Sequence, residues 1–183
     1  MKKLLSACLL LCVFTLTRAQ IIKGNKLIGG SLASGNVLIN EGVGLSIQVN
    51  PTAGIMLTNQ WMGGTGITLG AVVSDGFLGI AGINPFVRYY MHNKNKADSL
   101  YRGFFLQGTV GVVTVFGDEL ETSVQPGIGV GYSRFITPDI GLELATTASF
   151  IKVLSDYDGT INIGFSFGLQ IVLGKNVHLF RKK

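Results

Sequence analysis

Val43-Gly44-Leu45-Ser46-Ile47-Gln48-Val49-Asn50-Pro51-Thr52-Ala53-Gly54-Ile55-Met56-Leu57 is a run in which every odd position is apolar. The even positions carry glycine, hydroxyl, carboxamide and, once, methionine. A repeat of two residues is the signature of an extended strand, whose successive side chains point to opposite faces. One face of this strand is therefore greasy, and the other is small or polar.

The same pattern closes the sequence. Ile161, Ile163, Phe165, Phe167, Leu169, Ile171 and Leu173 are interleaved with Asn162, Gly164, Ser166, Gly168, Gln170 and Val172. Weaker versions occupy Lys26 to Ala33, Trp61 to Val73, Phe77 to Met91, Arg102 to Thr114, Thr122 to Phe135 and Ile140 to Phe150, which brings the expected total to eight strands. Turn-forming clusters separate them: Ser34-Gly35-Asn36, Thr58-Asn59-Gln60, Asp75-Gly76, residues 93–99, Gly117-Asp118, Thr137-Pro138-Asp139 and Asp158-Gly159. Pro51, Pro85 and Pro126 fall on the apolar parity and are read as bulges or bends, since proline cannot donate to a sheet ladder.

Strands of about 10 to 15 residues are longer than soluble sheets use and suit a tilted crossing of a bilayer. Lipid offers no hydrogen bonds, so such a sheet has to close on itself. The expected fold is all-β, a closed antiparallel up-and-down transmembrane barrel. After the leader, no apolar run approaches the length a membrane helix needs.

The composition agrees. Of 183 residues 26 are glycine and only 14% are charged, too few to solubilise an ordinary surface. Lys2 and Lys3 precede the apolar stretch Leu4 to Leu16, and Thr17-Arg18-Ala19 supplies small residues for cleavage, so residues 1–19 read as a signal peptide and residues 20–183 as the barrel with a short basic tail. Cys8 and Cys12 both lie in that leader, which leaves no thiol for a disulfide or a metal in the remainder. Leu5-Ser6-Ala7-Cys8 is preceded by too little apolar sequence to serve for lipid attachment. The chain carries 15 basic and 10 acidic residues; without Lys2, Lys3 and Arg18 the balance is 12 to 10, or +2, which argues against nucleic-acid binding.

Ser46-Ile47-Gln48-Val49-Asn50-Pro51, INPFVRYYM from Ile83 to Met91, FFLQGTVGV from Phe104 to Val112, QPGIGVGYSRFITPDIGLELA from Gln125 to Ala145 and INIGFSFGLQI from Ile161 to Ile171 together resemble the outer-membrane protein β-barrel domain family, relatives in architecture of OmpX and of the barrel of OmpA. The Pro-Phe-x-Arg-Tyr-Tyr core at Pro85 to Tyr90 and the Thr-Pro-Asp turn into Gly141-Leu142-Glu143-Leu144 are its most specific marks. The resemblance implies an integral, multi-pass protein of the Gram-negative outer membrane, in contact with its lipids and with the barrel-assembly machinery, monomeric, and with both termini in the periplasm. The chain departs from that pattern at Gln107, where a carboxylate is common, and at Lys175 to Lys183, which extend past the last strand.

In that orientation Glu41, Asp75, Asp118, Glu119, Glu121, Asp156 and Asp158 gather at the outer loops, while Lys23, Lys26, Lys94, Lys96, Arg102, Arg134, Lys175, Arg181, Lys182 and Lys183 lie at the inner end. Asp118, Glu119 and Glu121 are candidate contacts for divalent cations that bridge lipopolysaccharide phosphates, since hard cations favour several oxygen ligands. Trp61, Tyr89 and Tyr132 sit on the apolar parity near the inner ends of their strands, where an aromatic girdle is expected.

Arg88, Tyr90, Asn84 and Phe86 share the inward parity of the fourth strand, with Gln107 inward on the fifth and Glu143 on the seventh. Arg88 and Glu143 fall at similar depth, which predicts a structural salt bridge of less than about 8 Å, with Gln107 or Tyr90 as hydrogen-bond partners. Met56, Phe86, Phe105 and Phe135 oppose inward glycines, so the lumen is expected to be filled. The leading function is a structural or surface-interaction role. A passive channel for small solutes is the second reading, and a soluble lipocalin-like barrel the third, which would have to leave its apolar stripe in water. No cofactor and no enzymatic activity are expected: His92 and His178 are the only histidines, and neither lies in a catalytic constellation.

Overall fold

The computed structural model describes residues 23–38, 45–73, 77–91, 102–117, 120–137, 139–154 and 159–173. They form eight strands: β1 (Lys26–Leu38), β2 (Leu45–Met56), β3 (Trp61–Val73), β4 (Phe77–Met91), β5 (Arg102–Phe116), β6 (Leu120–Phe135), β7 (Ile140–Val153) and β8 (Gly159–Leu173). Each is antiparallel to the next, and β8 pairs back onto β1, from Lys26 opposite Leu173 to Leu38 opposite Asn162. The sheet is a closed up-and-down barrel. Closure leaves no strand edge, and that makes such a sheet tolerable in lipid.

The end at which β1 begins and β8 finishes is called here the near end. Two of its turns are built alike. Between β2 and β3, the Thr58 hydroxyl accepts from the backbone N–H of Gln60 and Trp61 at 3.2 and 3.0 Å. Between β6 and β7, the Thr137 hydroxyl accepts from Asp139 and Ile140 at 3.4 and 3.0 Å. A threonine that ties its own turn explains why short polar clusters suffice to reverse the chain. The leader at 1–19, the segment after Leu173, and Glu41, Asp75, Asp118, Glu119, Asp156 and Asp158 lie outside the described residues.

β1 corrects the expectation of a turn at Ser34-Gly35-Asn36. The strand runs on to Leu38, and its register against β8 shifts between Ser31 and Ala33. Before the shift, even residues (Lys26, Ile28) pair with the outward Leu173 and Ile171; after it, odd residues (Ala33, Val37) pair with Phe167 and Ile163. One extra residue in a strand moves the apolar set to the other parity. The alternation therefore looks broken where the strand is continuous.

The prolines also need correction. The register is unchanged across each, from Val49–Leu69 to Thr52–Gly66, from Ile83–Val112 to Phe86–Thr109 and from Val124–Lys152 to Gly127–Ser149. They are not bulges. Each interrupts pairing on one side only, where its missing N–H would have donated, and all three are exposed on the outer face.

The distribution of apolar side chains is inverted relative to a water-soluble protein. Among the described residues, 28 large hydrophobic side chains are exposed and 10 hydrophobic ones are buried. Outward positions of β4 from Gly79 to Met91 carry no charge. At about 3.4 Å per residue and a tilt of about 40°, that stretch is about 30 Å tall, the thickness of bilayer hydrocarbon. The exposed charges Lys26 and Arg134 lie at its near end and Lys152 toward the far end.

Candidate functional site

The interior of the near end is a compact apolar cluster of Leu27, Met56, Met62, Phe86, Tyr90, Phe105, Phe135 and Val172. Its fit depends on glycines across the ladder. Gly131 stands opposite Phe105 and Gly64 opposite Phe86, and a methyl group at either would run into the facing ring and a neighbouring backbone. Large side chains thus fill the space that glycines on the neighbouring strand leave.

Above this plug lies the polar centre. Arg88 is 5% exposed, and all five of its N–H donors are used. Nε and Nη2 donate to Gln107 Oε1 at 2.8 and 2.6 Å. Nη1 donates to the Tyr90 hydroxyl at 3.1 Å and to Glu143 Oε2 at 2.6 Å, and Nη2 to Glu143 Oε1 at 2.9 Å. The guanidinium lies over the Phe105 ring, 3.9 Å from its centroid. Such a bidentate ion pair with a stacked face holds a buried charge far better than a single contact would.

Of the inward residues singled out by parity, Arg88, Tyr90, Gln107 and Glu143 come together here. Asn84 does not join them and donates to Thr68 Oγ1 instead, at 2.5 Å. Gln170 is the member that parity alone missed: its amide donates to Glu143 Oε2. It is one of several inward carboxamides, and nothing in its local sequence sets it apart. With Gln107 neutral, the cluster holds one positive and one negative charge, both 15% exposed or less.

The lumen is not filled along its whole length, contrary to expectation. Beyond the Arg88–Glu143 pair is a cavity of about 200 Å³, walled by hydroxyls, carboxamides and inward glycines such as Gly66, Gly129 and Gly164. Large residues crowd one end, and at mid-height Gly66 and Gly129 have threonine side chains rather than aromatic rings beside them.

On the outside, Trp61 and Tyr89 pack at a tilt of 53° at the near end with centroids 4.9 Å apart, and Gln60 donates to the Tyr89 hydroxyl at 3.1 Å. Tyr132 packs on Phe104 at 5.1 Å, adding an aromatic residue the parity reading did not single out. Glu121, near the start of β6 and opposite Val115, is exposed; the neighbouring Asp118 and Glu119 fall outside the described residues. Among the described residues no three His, Cys, Asp or Glu side chains cluster as metal ligands would.

No protein-family model matches the sequence, and no curated protein is matched. Solved structures do match. Neisserial surface protein A (NspA) superposes over 81% of this chain and 97% of its own at a TM-score of 0.62 and 15% identity. The fold is that of the small eight-stranded outer-membrane barrels. The attachment invasion locus protein Ail of Yersinia pestis shares this barrel fold over 83% of this chain and 100% of its own (TM-score 0.53, 10% identity). So does the N-terminal β-barrel domain of Pseudomonas aeruginosa OprF, over 81% and 98% (TM-score 0.52, 10% identity).

Proposed function

We propose that this protein is an integral outer-membrane barrel of a Gram-negative envelope, with its near end in the periplasm, a lumen sealed to solutes, and a structural or surface-interaction role rather than an enzymatic one. The observation that carries this reading is the uncharged apolar belt about 30 Å tall around a polar interior. In water so large an exposed apolar surface would aggregate; in lipid it is the stabilising solvent contact. The girdle of Trp61, Tyr89 and Tyr132 sits where one bilayer interface would fall, which suits rings with one apolar and one polar edge.

What supports the seal is the plug. Met56 and Phe105 are each 1% exposed and Met62 is 2% exposed, so these side chains pack closely across the near end. Planar bilayers holding the folded protein are expected to conduct no more than bare lipid. The double variant Met56→Ala with Phe105→Ala, which removes the two most enclosed plug side chains, should add a measurable ion conductance. Discrete conductance steps from the unmodified protein would instead establish the channel reading.

A further inference from the structure

The cavity above the Arg88–Glu143 pair is hollow where a purely structural barrel would be packed. It reaches to within three residues of the far ends of β2 and β8, at Gln48 and Asn162. Its floor is closed by the apolar plug, so any occupant has to arrive from the far end. Glycine at inward positions keeps it open: a methyl group on Gly129 would press on Thr147, and one on Gly66 would press on Thr52.

The chemistry of its wall is selective. Among the described residues that line it, Arg88 and Glu143 are the only charged ones, and each neutralises the other at 2.6 Å. The guanidinium has no donor left over. A charged ligand would therefore meet no counter-charge that is not already paired, and its desolvation would go uncompensated. The wall offers Asn84, Gln125, Thr109, Thr147 and Ser149, side chains that donate and accept alike. Phe86 contributes apolar surface at the floor. Alternating donors and acceptors beside an apolar ring face match a polyol ring, which is itself hydroxylated at its edge and apolar on its faces.

We infer that this chamber is a blind binding well for a small, uncharged, hydroxyl-rich solute of monosaccharide size. The inference goes beyond a sealed structural barrel and stands on the interior alone, so it is tested in detergent micelles whether or not the membrane reading holds. The full chain, folded in micelles, is titrated with glucose while the side-chain amide resonances of Asn84 and Gln125 are followed by NMR. The expected result is a saturable shift of both, with half-saturation on the order of 1 mM, as suits a small polar ligand. Glucose 6-phosphate should bind about tenfold more weakly or worse. Thr147→Leu, which adds apolar bulk to the chamber wall, should abolish the shift while heat-modifiable gel migration shows the barrel intact; Ser149→Val serves the same purpose if that variant does not fold. Overturning results are resonances that do not move with glucose, shifts that persist in the filled variants, or equal binding of the phosphorylated sugar.

Discussion

Replacing Glu143 with alanine is expected to destabilise the folded barrel by about 3–5 kcal/mol, because it leaves the Arg88 guanidinium buried beside Phe105 without its counter-charge. Gln107 and Tyr90 would still accept from Arg88, but neither carries charge, and the Gln170 amide would also lose its acceptor. Removing both charges together is a different experiment. Arg88→Met with Glu143→Leu leaves no lone charge in the lumen, and the polar neighbours that face the cavity can turn to water. The double variant should recover at least half of the single variant's loss. Urea titration of the barrel in lipid vesicles, with folding read from gel migration, measures both. A single variant costing under about 1 kcal/mol, or a double variant whose loss is the sum of the two singles, would mean that the pair is not the strut its geometry describes.

The second large effect is on the outer face. Ile128, at the middle of β6, is 73% exposed. Ile128→Arg should cost about 2–4 kcal/mol in a bilayer, where the guanidinium has to be drawn toward the headgroups. Leu120→Arg, at the end of the same strand and 69% exposed, should cost about 0–1 kcal/mol. The two positions are nearly equally exposed, so exposure cannot explain a difference between them; only depth can. In a water-soluble barrel both substitutions would be neutral or would improve solubility. Equal costs at the two sites in vesicles would therefore count against the membrane span.

How far the sequence could be read depended on whether alternation ran unbroken. β3 and β4 have the bounds expected from period two, Trp61–Val73 and Phe77–Met91, because polar or small residues separate their apolar ones almost throughout. β5, β6 and β7 run two or three residues beyond the expected ends, where Val115-Phe116, Leu120-Glu121 and Ile151-Lys152-Val153 blur the alternation. β1 was cut short because the register shift after Ser31 exchanges inward and outward parity midway. A single-strand pattern cannot distinguish a bulge from an ending, since the difference lies in the partner strand.

The interior was legible to the same depth. Parity places Arg88, Tyr90, Gln107 and Glu143 on the inward face, distance from the turns puts Arg88 and Glu143 at similar depth, and the structure brings these four together. Two features needed three dimensions. Gln170 reaches Glu143 from the neighbouring strand, a choice among several inward carboxamides that no local signal makes. The hollow above the pair depends on which glycines have an aromatic ring packed on them and which do not, and that follows from register across strands rather than from glycine content. Gly64 and Gly131 are filled by Phe86 and Phe105, whereas Gly66 and Gly129 are not.

The disposition of the barrel in lipid is tested most directly by depth-dependent quenching. The folded chain is placed in vesicles whose lipids carry a nitroxide either near the headgroup or deep in the acyl chain, with Trp61 as one reporter and a fluorophore on a cysteine at position 128 as the other. A membrane-spanning barrel should show the label at 128 quenched most by the deep nitroxide, Trp61 most by the shallow one, and neither readily reached by aqueous iodide. Ready quenching of the label at 128 by iodide, with no preference between the two nitroxide depths, would contradict it.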